Sequence, residues 1–214
     1  MNPRSGPGAI YGTGARQFQD RFDSRRLADR LERLTVHEEL SESDQALISA
    51  QSSFLLATVD AEGWPDVSYK GGEPGFVRVV DSRTLCFPLY DGNGMFRSAG
   101  NIADDGRVAL LFIDVSKPWR LRVHGTAQVI TEPELVDSFH GAMACVSIDV
   151  GRVFPNCGRY IHKISSEEIS EYVPRPGHEP PVPDWKKIPE LAEVLPGKAA
   201  SPGHAEADLR DARS

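Results

Sequence analysis

Apolar positions along this chain follow two periods in turn, helical at the start and strand-like through the middle. In residues 15–34, Phe18, Phe22, Leu27, Leu31 and Leu34 recur at helical spacing among many charges, and Asp23-Ser24 supplies a cap for a second helix inside that stretch. Ser41-Glu-Ser-Asp44 fits a capping box, so Ala46, Leu47 and Ile48 predict a short helix ending near Gln51. Residues 1–14 are rich in glycine and proline and read as an arm that orders only when something docks on it. Residues 1–50 are therefore an arm and helices that pack on a body formed further along.

From residue 54 the period shortens. Residues 54–59 form an apolar run closed by Asp60-Ala-Glu-Gly-Trp-Pro65, a buried strand followed by a tight turn. Residues 66–70 resume as a strand that Gly71-Gly-Glu-Pro-Gly75 stops, 76–80 give a third, and Asp81-Ser-Arg83 turns the chain into a fourth over 84–88. A helix is expected over 95–103, a nearly continuous apolar strand over 108–113, and a loop at Ser116-Lys-Pro-Trp119. Residues 120–130 alternate, with Leu121, Val123 and Val129 set against Arg120, Arg122, His124 and Gln128, the mark of a strand with one wet face. Thr131-Glu-Pro-Glu134 is a second capping-box candidate opening a helix to about Met143. Two more strands are expected over 146–153 and 159–164. Beyond Tyr172 the chain is proline-rich with Trp185 and Ile188 as its anchors, and 196–214 has the composition of a disordered tail.

Short strands at close intervals, with one helix crossing in the middle and helices at both ends, imply a mainly β, α+β fold built on a small antiparallel barrel. Alternating β and α units are absent, which excludes a Rossmann arrangement. Three segments result: 1–50, a barrel over 51–172, and an extension over 173–214.

Composition narrows the chemistry. A net charge of −7 with acidic residues spread along the whole length argues against a nucleic-acid surface. No run approaches the ~18 apolar residues of a membrane span, and residues 1–14 lack the pattern of a secretory signal, so a cytoplasmic location is expected. Cys86, Cys145 and Cys157 show no CxxC spacing and read as reduced thiols, and the histidines lack ligand spacing such as HExxH, so no metal site is expected. No GxSxG elbow or P-loop is present.

The densest stretch is Tyr90-Asp-Gly-Asn-Gly-Met-Phe-Arg-Ser-Ala-Gly-Asn101. Asn93, Ser98 and Asn101 flank a helix start and are donors suited to a phosphate, while Gly92, Gly94 and Gly100 allow close backbone approach. By composition alone Asp91-Gly-Asn-Gly94 is equally a simple turn. Lys70 ends a strand as either a solvated cation or one facing an anion. Arg78 interrupts an apolar strand as an edge residue or a paired charge, and Arg120 and Arg122 share a face that is the wet side of a barrel or part of a site.

The ordered series Ser53-Phe-Leu-Leu-Ala-Thr-Val-Asp-Ala-Glu-Gly-Trp-Pro-Asp66, Val67-Ser-Tyr-Lys-Gly-Gly72, Gly75-Phe-Val-Arg-Val-Val-Asp81, Gly92-Asn-Gly-Met95 with Gly100-Asn101, Arg107-Val-Ala-Leu-Leu-Phe112 and Leu121-Arg-Val-His-Gly125 resembles the pyridoxamine 5'-phosphate oxidase-like, FMN-binding split-barrel family. The resemblance covers roughly residues 50 to 165. It implies a six-stranded split β-barrel working as a homodimer, with FMN in clefts between subunits. It also implies that Val67, Ser68, Tyr69 and Lys70 run along the flavin, with Lys70 at the phosphate or at the pyrimidine edge of the ring. Asn93, Met95, Ser98 and Asn101 would meet the phosphate, and Arg120 and Arg122 would come from the partner subunit.

An FMN-dependent oxidoreductase acting on a small molecule is the function so implied. The alternative within the same group is a non-enzymatic barrel that stores or senses flavin or haem. Two departures bear on the substrate. Tyr172-Val-Pro-Arg-Pro-Gly-His178 runs into a proline-rich tail where the vitamin B6 oxidases carry an Arg-x-His motif, and Gly92-Asn-Gly94 stands where they carry adjacent Arg and Lys.

Overall fold

The computed structural model describes residues 10–90, 95–114, 117, 119–161, 181–182 and 184–193. The chain divides into two compact units, one made of residues 1–35 and 181–214, the other of residues 36–180.

In the first unit, helix α1 (Thr13–Arg21) and helix α2 (Arg25–Thr35) are separated at Asp23, which takes a left-handed φ of 48°. The Ser24 carbonyl accepts the first bond of α2, from the Ala28 amide at 2.8 Å. Leu27 and Leu31 pack on Leu191, and among the described residues of the C-terminal piece Leu191 is buried while Ile188 is exposed. Arg16 ties the two helices together, bonding Asp29 at 2.6 Å and lying 4.8 Å from the Tyr11 ring centre.

The second unit opens with α3 (Glu42–Ala50), where the capping box is formed: the Asp44 amide bonds the Ser41 hydroxyl, and the Ser41 amide bonds the Asp44 carboxylate. Seven strands follow, β1 (Ser53–Val59), β2 (Pro65–Gly71), β3 (Arg78–Asp81), β4 (Thr84–Tyr90), β5 (Arg107–Asp114), β6 (Trp119–Ile130) and β7 (Ala142–Asn156), with α4 (Arg97–Asp104) between β4 and β5. They form one antiparallel sheet in the order β2-β1-β5-β6-β7-β4-β3. The two ends of this sheet, β2 and β3, are not joined, which is the open form of a split barrel with one strand more than the six expected.

Period-two alternation sets the core. Phe54, Leu56 and Thr58 of β1, Leu110 and Phe112 of β5, and Leu121 and Val123 of β6 point inward and are buried. The Phe54 ring lies 5.1 Å from Phe87, 5.2 Å from Phe112 and 5.8 Å from Phe76, an aromatic cluster at the centre of the barrel. At the His124/Gly125 irregularity the sheet coils tightly enough that a Cβ on Gly125 would sit 2.4 Å from the Asp149 carbonyl oxygen. Gly125→Ala is therefore expected to cost about 1–3 kcal/mol, read as a lower urea midpoint with an unchanged slope.

Two local expectations are corrected, and one open alternative, that of Arg78, is decided. The helix expected over 131–143 is only the turn α5 (Pro133–Val136), without a side-chain cap; its intended continuation is drawn into β7, whose pairing with both β4 and β6 outweighs local helix preference. The strand expected over 159–164 is a turn at Arg159 and Tyr160, and residues 162–164 lie outside the described residues. Arg78 is an exposed residue at the start of β3 whose guanidinium bonds the Ser138 hydroxyl at 2.7 Å and lies 3.5 Å from the Phe139 ring centre. It is an edge residue, since β3 ends the sheet, and it is not among the residues that line the cleft described next.

Candidate functional site

The β1–β2 hairpin and the start of α4 build one cleft. On β2 the alternation turns Asp66, Ser68 and Lys70 toward α4, leaving Val67 and Tyr69 on the opposite face, 61% and 70% exposed. On α4, Ser98 and Asn101 are buried. The Ser98 hydroxyl lies 3.1 Å from the Ser68 hydroxyl and accepts from the Lys70 ammonium at 3.2 Å.

Half-burial pulls the Lys70 pKa below the ordinary lysine value, and the Asp66 carboxylate pulls it partly back. A desolvated ammonium and two hydroxyls, next to the free amides of a helix start, form a donor set suited to an anion of phosphate type.

Asn101 has a different part. Its amide donates to the Thr58 hydroxyl at 2.9 Å in the interior and so locks α4 onto β1. Asn101→Ala leaves that buried hydroxyl without its partner and is expected to cost about 1–3 kcal/mol, measured by thermal unfolding of the protein without added ligand.

Arg97, which the sequence pattern does not single out, also lines the cleft. Its guanidinium lies 3.5 Å from the Asp66 carboxylate and 3.9 Å from that of Asp60. Asp60 is fixed in turn, its other oxygen accepting from the Glu62 and Trp64 amides at 3.0 and 2.8 Å in the hairpin turn. The signal that could have found Arg97 is its place at the first turn of the helix, immediately before Ser98.

Apolar lining comes from Leu89, Tyr90, Met95 and Phe96, and the open cleft has a volume of ≈ 280 Å³. Phe96 is the N-cap of α4 and holds a left-handed backbone, φ 47° and ψ 26°, that costs a residue with a Cβ on the order of 1–2 kcal/mol.

Ser68, Lys70, Met95 and Ser98 are thus brought together around the cleft, and Asn101 stands behind it. Asn93 lies outside the described residues. Arg120 and Arg122 sit on the outer face of β6: Arg122 lies 5.4 Å from the Phe154 ring centre, and the Arg120 Nε is buried without a hydrogen-bond partner. His124 shares that face, its ring 5.1 Å from Phe154, and burial together with Arg122 and Arg152 holds its pKa below the usual histidine value. Among the described residues no helix is long and apolar enough to cross a membrane.

The family model for pyridoxamine 5'-phosphate oxidase matches residues 40–157, more than half of the chain and the whole of the sheet. The chain belongs to the pyridoxamine 5'-phosphate oxidase-like family. Among solved structures, it is similar to a Lactobacillus delbrueckii protein provisionally described as a pyridoxamine 5'-phosphate oxidase, with 27% identity over 56% of this chain and 99% of that one and a TM-score of 0.47. It is also similar to HupZ from Group A Streptococcus, with 26% identity over 54% and 92% of the two chains and a TM-score of 0.45. An FMN-binding protein of Syntrophomonas wolfei shows 13% identity over 66% and 94%, with a TM-score of 0.41. No curated protein is matched.

Proposed function

We propose that this protein is a homodimeric FMN-dependent oxidoreductase acting on a small molecule, with the FMN phosphate held by Lys70, Ser68 and Ser98 at the start of α4. The observation that carries this reading is the Lys70 ammonium, half-buried and bonded to Ser98. A lysine is drawn out of water at a cost that only an opposite charge repays, and Asp66, the carboxylate near it among the described residues, is shared with Arg97. The same bond to Ser98 supports the phosphate role of Lys70 over a role at the ring edge. Arg97 is the second cation, free to exchange its carboxylates for the incoming anion.

FMN supplies the two-electron redox chemistry when bound. Lys70 and Ser98 fix the phosphate end, Asn101 holds α4 at its distance from β1, and Leu89, Tyr90 and Met95 keep water from one side of the cleft. Among the described residues Asp66 is the carboxylate that lines the cleft, and it is held by Arg97.

Self-association through the outer face completes the reading. Val67, Tyr69 and Trp64 expose large apolar surface at the β2 edge of the sheet, three strands away from Arg120 and Arg122 on β6, and cations on the face turned from the cleft reach a flavin only in the cleft of a second copy. A location in the cytoplasm is proposed with it.

The test begins with the absorption spectrum of purified protein, before and after added FMN. Flavin bands near stoichiometric content, bleached anaerobically by NADH or NADPH, support the enzyme. Flavin bands that neither nucleotide bleaches leave a carrier, and a colourless protein that binds no added FMN removes the proposal. Ser98→Ala is expected to weaken FMN about 10-fold, with riboflavin unchanged.

A further inference from the structure

Two observations at the mouth of the cleft have no account in the fold. Phe96 adopts the left-handed conformation at the N-cap of α4, where a glycine would sit without strain, and its backbone carbonyl accepts the first bond of the helix, from Gly100 at 2.8 Å. Its side chain gains little in exchange: the ring is 57% exposed and contributes to none of the buried clusters. A strained backbone beneath an aromatic ring that the core does not use is a cost without a structural return. Phe96 does line the cleft, together with the apolar Leu89 and Tyr90 and with Lys70 and Ser98.

We infer that Phe96 is a ligand-positioning residue, strained so that its ring offers a stacking face to a planar conjugated ring bound in the cleft. This inference rests on the cofactor reading above and adds what that reading leaves out, a protein group for the ring rather than for the phosphate. Two rings have the required chemistry, the isoalloxazine of FMN and the ring of a planar second substrate. A cleft lined by both anion donors and apolar side chains fits a ligand carrying both features, and stacking on one aromatic side chain is worth enough to be measured.

Phe96→Gly separates the two roles, because glycine takes φ 47° freely while removing the ring. The variant is expected to raise the thermal midpoint of the protein without added ligand, since strain is released. Fluorescence titration is expected to show it binding FMN and riboflavin alike about 3–10-fold more weakly. Phe96→Tyr should restore both affinities, and the inhibition constant of inorganic phosphate against FMN should be the same in all three proteins.

If FMN and riboflavin keep wild-type affinity in Phe96→Gly but a planar quinone such as menadione loses affinity for the FMN-loaded protein, the ring belongs to the second substrate and the inference stands. Unchanged affinity for all three ligands overturns it. So does a weaker self-association of Phe96→Gly, measured by sedimentation, with ligand affinity unchanged at saturating protein, since the ring then serves the partner copy. Wild-type protein that binds haem but neither flavin defeats the cofactor reading alone. In that case a roughly 3–10-fold loss of haem affinity in Phe96→Gly still supports the stacking role, and no loss overturns it.

Discussion

Lys70→Met is expected to weaken FMN binding about 10–100-fold while leaving the folded protein without added ligand at least as stable as wild type. The two halves of this expectation come from one fact. Burial lowers the Lys70 pKa, so the charged form is disfavoured in the folded protein relative to the unfolded chain. A group with a depressed folded pKa of this cationic kind lowers stability below that pKa and recovers it as pH rises through the unfolded value, so removing the charge at neutral pH costs the fold nothing. The bound phosphate is what makes the cation favourable.

The same sign gives a pH dependence. FMN affinity should fall on the alkaline side, beginning below the pH at which an ordinary exposed lysine titrates, and Lys70→Met should lose that dependence. Equal FMN affinity in the variant would remove Lys70 from the site.

Tyr69→Asp is expected to weaken self-association at least ~100-fold, because a carboxylate in the centre of a desolvated face finds no partner there. Tyr69 stands on the outer face of β2, beside Val67 and opposite Leu55 in register, with its ring 70% exposed in the single chain. Sedimentation equilibrium should show a dimer turning to monomer. FMN affinity should drop with it, by an amount that Arg120→Ala and Arg122→Ala reproduce in the dimer. A Tyr69→Asp protein that stays dimeric would move the interface away from this face, and the two arginines with it.

The strands of the sheet are legible in the sequence because each carries its apolar period with a turn signal at its end, and their order in the chain leads to the family and to the split barrel. Asn101 and Ser98 are legible as residue types, although the buried bond of Asn101 to Thr58 gives it a role in fixing α4 that its place in a glycine-rich stretch does not indicate. Val67 and Tyr69 read together with Ser68 and Lys70 as one run, but a strand turns alternate side chains to opposite faces, and only the even-numbered pair lines the cleft.

Other features arise from contacts between distant segments. Arg97 gains its meaning from Asp60 and Asp66, which the hairpin carries to it. Strand β7 starts at Ala142 because two neighbouring strands pair with it, overriding a helix signal at Thr131-Glu-Pro-Glu134. The left-handed backbone of Phe96 has no signal in a residue type that ordinarily avoids it.

The central claim is that the cleft between β2 and α4 recognises a phosphate joined to a flavin. Fluorescence titration of the full chain with FMN and with riboflavin tests it most directly, since the two ligands differ only in the phosphate. FMN is expected to bind about 100-fold more tightly than riboflavin, and a protein carrying both Lys70→Met and Ser98→Ala is expected to bind the two alike. Equal affinity for FMN and riboflavin in the wild-type protein would contradict the account.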